Sequence, residues 1–219
     1  MKTRVILING SGFQSGKDTF ADMMAGHFKR YESLSENYKL HFADELKFIA
    51  ERLTGIKRIK HNQNVYNNEI YDFTHKQKNT FLKEWNMTLG QWLQKFATEA
   101  VRDNFDKDTW KRTLEKSVQS IIQHQHFHRV RTVNILIPDF RFLNEQFCCS
   151  EIDSVDVYKF KVHREFNSEN YDSRSMNHRS ETELKDFNGW DTLPIQNNKD
   201  LQHLSQEALE VVTAILATE

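Results

Sequence analysis

Apolar and polar positions follow two rhythms along this chain. Residues 4–8 (RVILI) are short, β-branched and apolar from Val5 onward, and Asn9-Gly10 ends the run, which predicts a buried strand. From Lys17 the apolar positions Phe20, Met23, Met24 and Phe28 fall three and four residues apart, the spacing of a helix. A second short strand is expected at 40–43. A helix follows from Asp44, with Leu46, Ile49, Ala50 and Leu53 on one face and Gly55 as its stop. Residues 56–87 lose the rhythm and read as a loosely structured insertion. Residues 88–101 regain it through Leu89, Trp92, Leu93, Phe96 and Ala100, and Asp108 is placed to cap another helix running through Trp110, Leu114, Val118 and Ile121. Residues 133–137 and 155–162 read as buried strands, 193–196 as a weaker one, and 201–216 as a closing amphipathic helix. Strands alternating with helices predict an α/β fold, a parallel sheet covered on both faces.

Composition sharpens this picture in three ways. The 219 residues suit a single domain over 1–219, and the mean hydropathy of −0.73 owes much to two polar segments, about 55–87 and 164–192, so the rest can still pack. Net charge is −1 with scattered basic residues, which argues against nucleic acid as a partner. The two cysteines, Cys148 and Cys149, are neighbours and fit a reducing cytosol better than a structural disulfide. No apolar run reaches the length of a membrane span or a signal peptide, so a cytoplasmic protein with no membrane partner is expected; a homodimer stays open. His124, His126 and His128 stand at two-residue steps, a zinc-like spacing were they on a strand, but no fourth ligand accompanies them.

The candidate chemistry begins after the first strand, in SGFQSGKDT. A strand, a loop of small residues and a helix opening on lysine form a phosphate cradle: loop amides and the helix N-terminus point at phosphate oxygens, and Lys17 reaches the β and γ groups. Gly16 lets the backbone approach. Two departures from G-x-x-x-x-G-K-[ST] stand out: the first glycine position holds Ser11, and Asp18 follows the lysine, with Thr19 next. This lysine–x–threonine order resembles that of small-molecule kinases, and the resemblance implies that Mg²⁺ is held largely through water. In ILIPDFRFLNE, a buried strand delivers Asp139 and Arg141 to its C-terminal edge, where open α/β sheets bind ligands. There they would serve a phosphate and its metal, or pair with each other. On a helix, Gln94, Thr98 and Val101 or Arg102 form a polar stripe.

SGKDT, LQKFATEAVRDNFDKDTW, ILIPDFRFLNE and HRSE come in the order found in the deoxynucleoside monophosphate kinases of tailed bacteriophages, which the chain resembles. It resembles the animal-type phosphomevalonate kinases more distantly, through the S-G-K-D loop and the D-x-R strand end. The resemblance implies a three-layer P-loop kinase fold with an acceptor-side insertion at about 55–87 and a lid at about 164–192. It implies ATP and Mg²⁺ as cofactors, with Gly12, Gln14, Ser15, Gly16, Lys17, Asp18, Thr19, Arg164 and Asn197 at ATP and Asp18 and Thr19 at the metal. At the deoxynucleotide it implies Phe13, Lys47, Gln94, Thr98, Glu99, Arg102, Trp110, Asp139, Arg141, Asn144 and Glu145. Arg174 and Arg179 would join the lid, with His178 and Glu181 locking it. Departures include Ala97 where relatives have glycine, and Asp44-Glu45 where Gly-Pro precedes the lysine at Lys47. The expected reaction is transfer of the γ-phosphoryl of ATP to a deoxynucleoside 5′-monophosphate, with Lys17, Asp18, Asp139 and Arg141 catalytic. The alternatives are a phosphomevalonate-type small-molecule kinase and a P-loop ATPase acting on a protein or DNA. Against the ATPase, Asp139 is followed by Phe140 rather than by a second acid.

Overall fold

In a computed structural model of the chain, which describes residues 1–12, 14–165 and 179–218, with the side chains of Ser180 and Glu181 not described, the core begins at β1 (Lys2–Gly10). Successive side chains of a strand point to opposite faces, and β1 splits accordingly. Val5 and Leu7 enter one apolar layer, and Ile6 and Ile8 enter the other. The elements after it are α1 (Lys17–Tyr31), β2 (Ser35–Lys39), α2 (Asp44–Thr54), β3 (Ile59–His61), β4 (Ile70–Asp72), α3 (His75–Lys78), β5 (Phe81–Leu82), β6 (Met87–Thr88) and α4 (Leu89–Lys95). A π-helical segment (Phe96–Asp103), α5 (Thr109–Phe127), β7 (Thr132–Ile137), a 3-10 turn (Leu143–Phe147), β8 (Val155–His163), α6 (Arg179–Thr182), β9 (Ile195–Gln196) and α7 (Leu201–Ala217) complete the chain.

The central sheet has five strands in the order β2-β7-β1-β8-β9, all parallel. Helices α1 and α7 pack together over Ile6, Ile8, Leu136 and Phe160, while α2, α4 and α5 cover the other face over Val5, Leu7, Val133 and Ile135. The chain is therefore α/β with a helix-flanked parallel sheet. From β1 the chain leads to β2 on one side, and from neighbouring β7 it leads to β8 on the other. Connections that part in this way open a crevice at the C-terminal ends of the two strands. Asn9 stitches the rim of that crevice by donating to the Phe140 carbonyl at 2.7 Å.

The second strand lies at residues 35–39, upstream of the expected 40–43. Its polar sequence hid it. Asn37 is buried, donates to the Ala25 carbonyl at 2.9 Å and accepts from Asn134 at 2.9 Å. Asn134 in turn accepts from Arg4 at 2.8 Å, and Arg4 pairs with Glu32 at 2.6 Å. Arg4, Asn134 and Asn37 are register partners on three adjacent strands, so a hydrogen-bonded polar row crosses the buried sheet.

Residues 56–87 are more ordered than expected. Two small hairpins (β3-β4 and β5-β6) and α3 form there, and Tyr66, Ile70, Phe73 and Leu82 are buried. Capping boxes at Thr74/Gln77 and Thr88/Gln91 fix the starts of α3 and α4. Asp108 is the N-cap of α5 but makes no side-chain cap bond, because its carboxylate accepts from Asn144 at 2.7 Å. The three histidines sit at the end of α5, not on a strand, and among the described residues no cluster of metal-ligating side chains occurs. Cys148 and Cys149 are buried and unbridged. At the far end of the expected lid, Phe187 and Trp190 pack edge-on against Phe140, so that part belongs to the core. Among the described residues no helix is long and apolar enough to cross a membrane.

Candidate active site

The loop after β1 is shaped by left-handed backbone. Gln14 has φ 59° and Gly16, the N-cap of α1, has φ 90° and ψ 11°. A Cβ at Gly16 would run into the Asn197 amide, which donates to the Ser15 carbonyl at 2.8 Å. That bond leaves the loop's shape to residues on both sides of it. Arg164 reaches the Gln14 carbonyl at 3.4 Å, and its own N–H donates to the Ser11 hydroxyl at 3.0 Å. Ser15 is wholly buried, and its hydroxyl has no hydrogen-bond partner among the described residues.

From Lys17 an alternating chain of charges runs along the cavity. Lys17 pairs with Asp18 at 3.1 Å. The other Asp18 oxygen faces Lys39 Nζ at 3.4 Å and His41 Nε2 at 3.6 Å. His41 Nδ1 meets Asp44 at 3.2 Å, Lys47 lies 3.7 Å from Asp44 and 3.2 Å from Asp72, and Lys78 lies 3.4 Å from Asp72. The protonation states follow from this chain. For Asp18, burial alone would raise the carboxyl, but the His41 ring together with Lys17 and Lys39 holds it well below the usual range. For His41, burial and Lys47 oppose the charged ring, and Asp44 and Asp18 overcome them, raising it to about 9. Asp44, despite burial, is drawn down to about 2 by His41 and Lys47. Lys47 stays charged, since Asp72 and Asp44 outweigh its burial.

The Asp139 carboxylate accepts the backbone N–H of Phe42 at 2.9 Å and of Ala43 at 3.2 Å. It therefore ties the C-terminal edge of β7 to the turn before α2. Two residues on, the Arg141 N–H donates to Glu145 at 2.8 Å.

The remaining wall comes from the helix after β6. It opens as α-helix and widens to a π-helix at Phe96, where only a continuous α-helix was expected. The Trp110 indole donates to the Ala97 carbonyl at 3.1 Å, within the π segment. A π segment carries few α-type bonds and tends to occur at functional sites. It turns Gln94, Ala97, Thr98 and Arg102 into the cavity. Arg102 is held by Glu145 at 3.1 Å and Asn144 at 2.6 Å, with its guanidinium 3.5 Å from the centre of the Phe142 ring. Burial, aided by Asp139, pushes the Glu145 carboxyl up to about 8 against the pull of Arg102 and two backbone N–H groups.

These walls enclose one cavity of about 1340 Å³. It gathers Gln14, Gly16, Lys17, Asp18, Thr19, Arg164 and Asn197 from the expected ATP side, and Lys47, Gln94, Thr98, Arg102, Trp110, Asp139, Arg141 and Glu145 from the expected acceptor side. Four expected residues stand elsewhere. Glu99 is exposed on the far side of the π-helix, Asn144 backs Arg102 from behind, and Gly12 and Ser15 shape the loop without lining the cavity. Phe13, Arg174 and His178 lie outside the described residues, as does the Glu181 side chain; Arg179 pairs with Glu183 at 2.5 Å and Asp103 at 3.2 Å, away from the cavity. The sequence reading missed His41, Asp44, Asp72 and Lys78. The one local signal was the acid three residues after His41, in HFAD. No protein-family model matches the chain, and no curated protein matches it.

Proposed function

We propose that this chain is a kinase that moves the γ-phosphoryl group of ATP to a deoxynucleoside 5′-monophosphate, on a P-loop kinase fold. One observation supports this above the others: the loop that ends in Gly16-Lys17 and the pair Asp139 and Arg141 line the same cavity. Its 1340 Å³ exceeds the roughly 300–1,000 Å³ of an ordinary small-molecule site, which leaves room for two nucleotides together. Trp110, Phe142, Leu201 and Leu204 give the cavity apolar and aromatic lining, and Lys17, Lys47, Arg141 and Arg164 give it cations.

Phosphoryl transfer needs alignment and neutralisation of charge more than covalent help. Lys17 and the loop amides would hold the β and γ groups, and Arg164 would lie over the loop. Arg141 and Lys47 would balance the acceptor phosphate. That phosphate is already ionised, so no strong general base is required, and Asp139 serves by fixing the turn at Phe42 and Ala43. Asp18 and Thr19, hard-oxygen donors side by side at the start of α1, fit an Mg²⁺ ion bound mainly through water and phosphate. When bound, the metal would neutralise charge on the polyphosphate.

The test is a product assay. Purified protein is incubated with ATP, Mg²⁺ and each deoxynucleoside 5′-monophosphate, with phosphomevalonate and DNA as controls, and the products are separated by chromatography. The expected result is ADP and a deoxynucleoside diphosphate in equal amounts for at least one acceptor. ADP released without a phosphorylated acceptor, or transfer to phosphomevalonate alone, would overturn the proposal.

A further inference from the structure

His41 has no role in the transfer described above, yet it is buried where the two halves of the cavity meet. Its ring spans two elements: Nε2 faces Asp18 on the first turn of α1, and Nδ1 faces Asp44 on the first turn of α2. Only an imidazolium offers an N–H donor to carboxylates on both sides. The backbone N–H of His41 also donates to Asp44 at 2.8 Å, which fixes the ring's anchor. Around it stand Asp18 from α1, Asp44 and Lys47 from α2, and Asp72 from β4; Lys17 and Lys39 lie on the far side of Asp18.

Asp18 poses a problem for anion binding. Its carboxylate occupies Lys17, the cation meant for the polyphosphate, and its own charge repels that ligand. Once Lys17 turns away, the Asp18 charge must be balanced by something else. Lys39 contributes, but it lies closer to Asp22, at 2.9 Å, than to Asp18. His41 Nε2 lies 3.6 Å from the same carboxylate oxygen.

We infer that His41 is a positioning residue: its ring takes over the Asp18 carboxylate so that Lys17 is released to a polyphosphate, and it ties the phosphate loop to the acceptor side at Asp44. This rests on the reading of the loop as a polyphosphate site.

The experiment measures binding of inorganic tripolyphosphate, without metal and at low ionic strength, by calorimetry. It uses the wild type, His41→Gln, Asp18→Asn, the double variant and Lys17→Ala, each checked for fold by circular dichroism. His41→Gln is expected to bind about tenfold more weakly, the effect of one unit charge at this distance in a well-solvated site. Asp18→Asn is expected to bind at least as tightly as the wild type, and adding His41→Gln to it should change affinity less than about twofold, because the residue on which the ring acts is gone. A residue with only a structural role would cost the same in both backgrounds.

Wild-type affinity in His41→Gln, or an undiminished tenfold loss in the Asp18→Asn background, overturns the inference. Should His41→Gln fail to fold, Asp44→Asn takes its place. By freeing the other side of the ring it should weaken binding in the same direction, and unchanged affinity there overturns the inference as well. The two readings fail differently. Tripolyphosphate binding that Lys17→Ala abolishes but His41→Gln leaves intact removes only the role of His41. No binding by the wild type removes the phosphate loop, and the inference with it.

Discussion

The two sides of the cavity are built on different principles. On the loop side, β1, residues 11–16 and α1 follow one another in the chain, and backbone shape sets the site: a left-handed Gly16, an Asn197 amide on the Ser15 carbonyl, and a lysine on the first helical turn. On the acceptor side the residues come from stretches far apart in the chain. Lys47 and Lys78 are held by the charge of Asp72, Arg102 is held by Glu145, and Glu145 also accepts the Arg141 backbone N–H. A site made of backbone should tolerate changes to its charged side chains and lose only function. A site made of ion pairs should lose stability when a partner is removed.

That contrast can be broken by mutation, and the largest effect is expected on the loop. Lys17→Ala should lower kcat for transfer at least about a thousandfold, some 4 kcal/mol of transition-state stabilisation, while the melting temperature stays within a degree or two of wild type. A large drop in melting temperature would mean that Lys17 is structural. On the acceptor side, Arg102→Ala leaves Glu145 buried beneath it without its cation. The expected cost is about 2 kcal/mol in unfolding free energy, read from denaturant midpoints, because the buried Glu145 carboxyl, largely protonated at neutral pH, and Asn144 lose the donor that satisfies them.

The next effect is one of pH. His41 titrates near 9 in the folded chain against an ordinary 6.5, so its contribution is complete below about 6.5 and is lost as pH rises through 9. Up to about 3 kcal/mol is involved. Glu145, raised to about 8 from 4.5, makes stability fall with rising pH over an overlapping range. The difference between wild type and His41→Gln, followed by thermal melting from pH 6 to 10, isolates the histidine; a constant difference would contradict its assigned state. Smaller again, Arg141→Ala should raise the acceptor KM about tenfold and change the ATP KM less than about twofold, the loss of one charge-assisted contact. Glu99→Ala should change neither stability nor KM measurably, since the side chain is exposed and off the cavity.

The same contrast governs how much could be read from the sequence. The first strand, α1 and the Gly16-Lys17 turn were legible because their signals are local: a β-branched run, a 3.6-residue rhythm, a glycine before a lysine. Gly55 was legible as the end of α2 for the same reason, and it closes that helix in the left-handed conformation. The strand at Ser35–Lys39 was not, because Asn37 and Lys39 look solvated until Asn134 and Asp22 are brought to them from elsewhere. The charges in residues 56–87 looked like solvent-facing polarity for that reason too, although Asp72 is the partner that keeps Lys47 charged in the interior. The π-helix was invisible because residues 96–103 read as ordinary helix, and the Trp110 bond to the Ala97 carbonyl that accompanies it joins residues with an unremarkable spacing. Glu99 was drawn into the site by motif position alone, and the π-helix turns it outward.

The account stands on two nucleotides sharing one cavity, and a bisubstrate ligand tests that directly. Adenosine joined through a five-phosphate bridge to a deoxynucleoside should bind wild-type protein at least about a hundredfold more tightly than ATP does, because the second site is engaged within the same molecule. Lys17→Ala and Arg141→Ala should each remove most of that gain. A bisubstrate ligand that binds no more tightly than ATP would contradict the account.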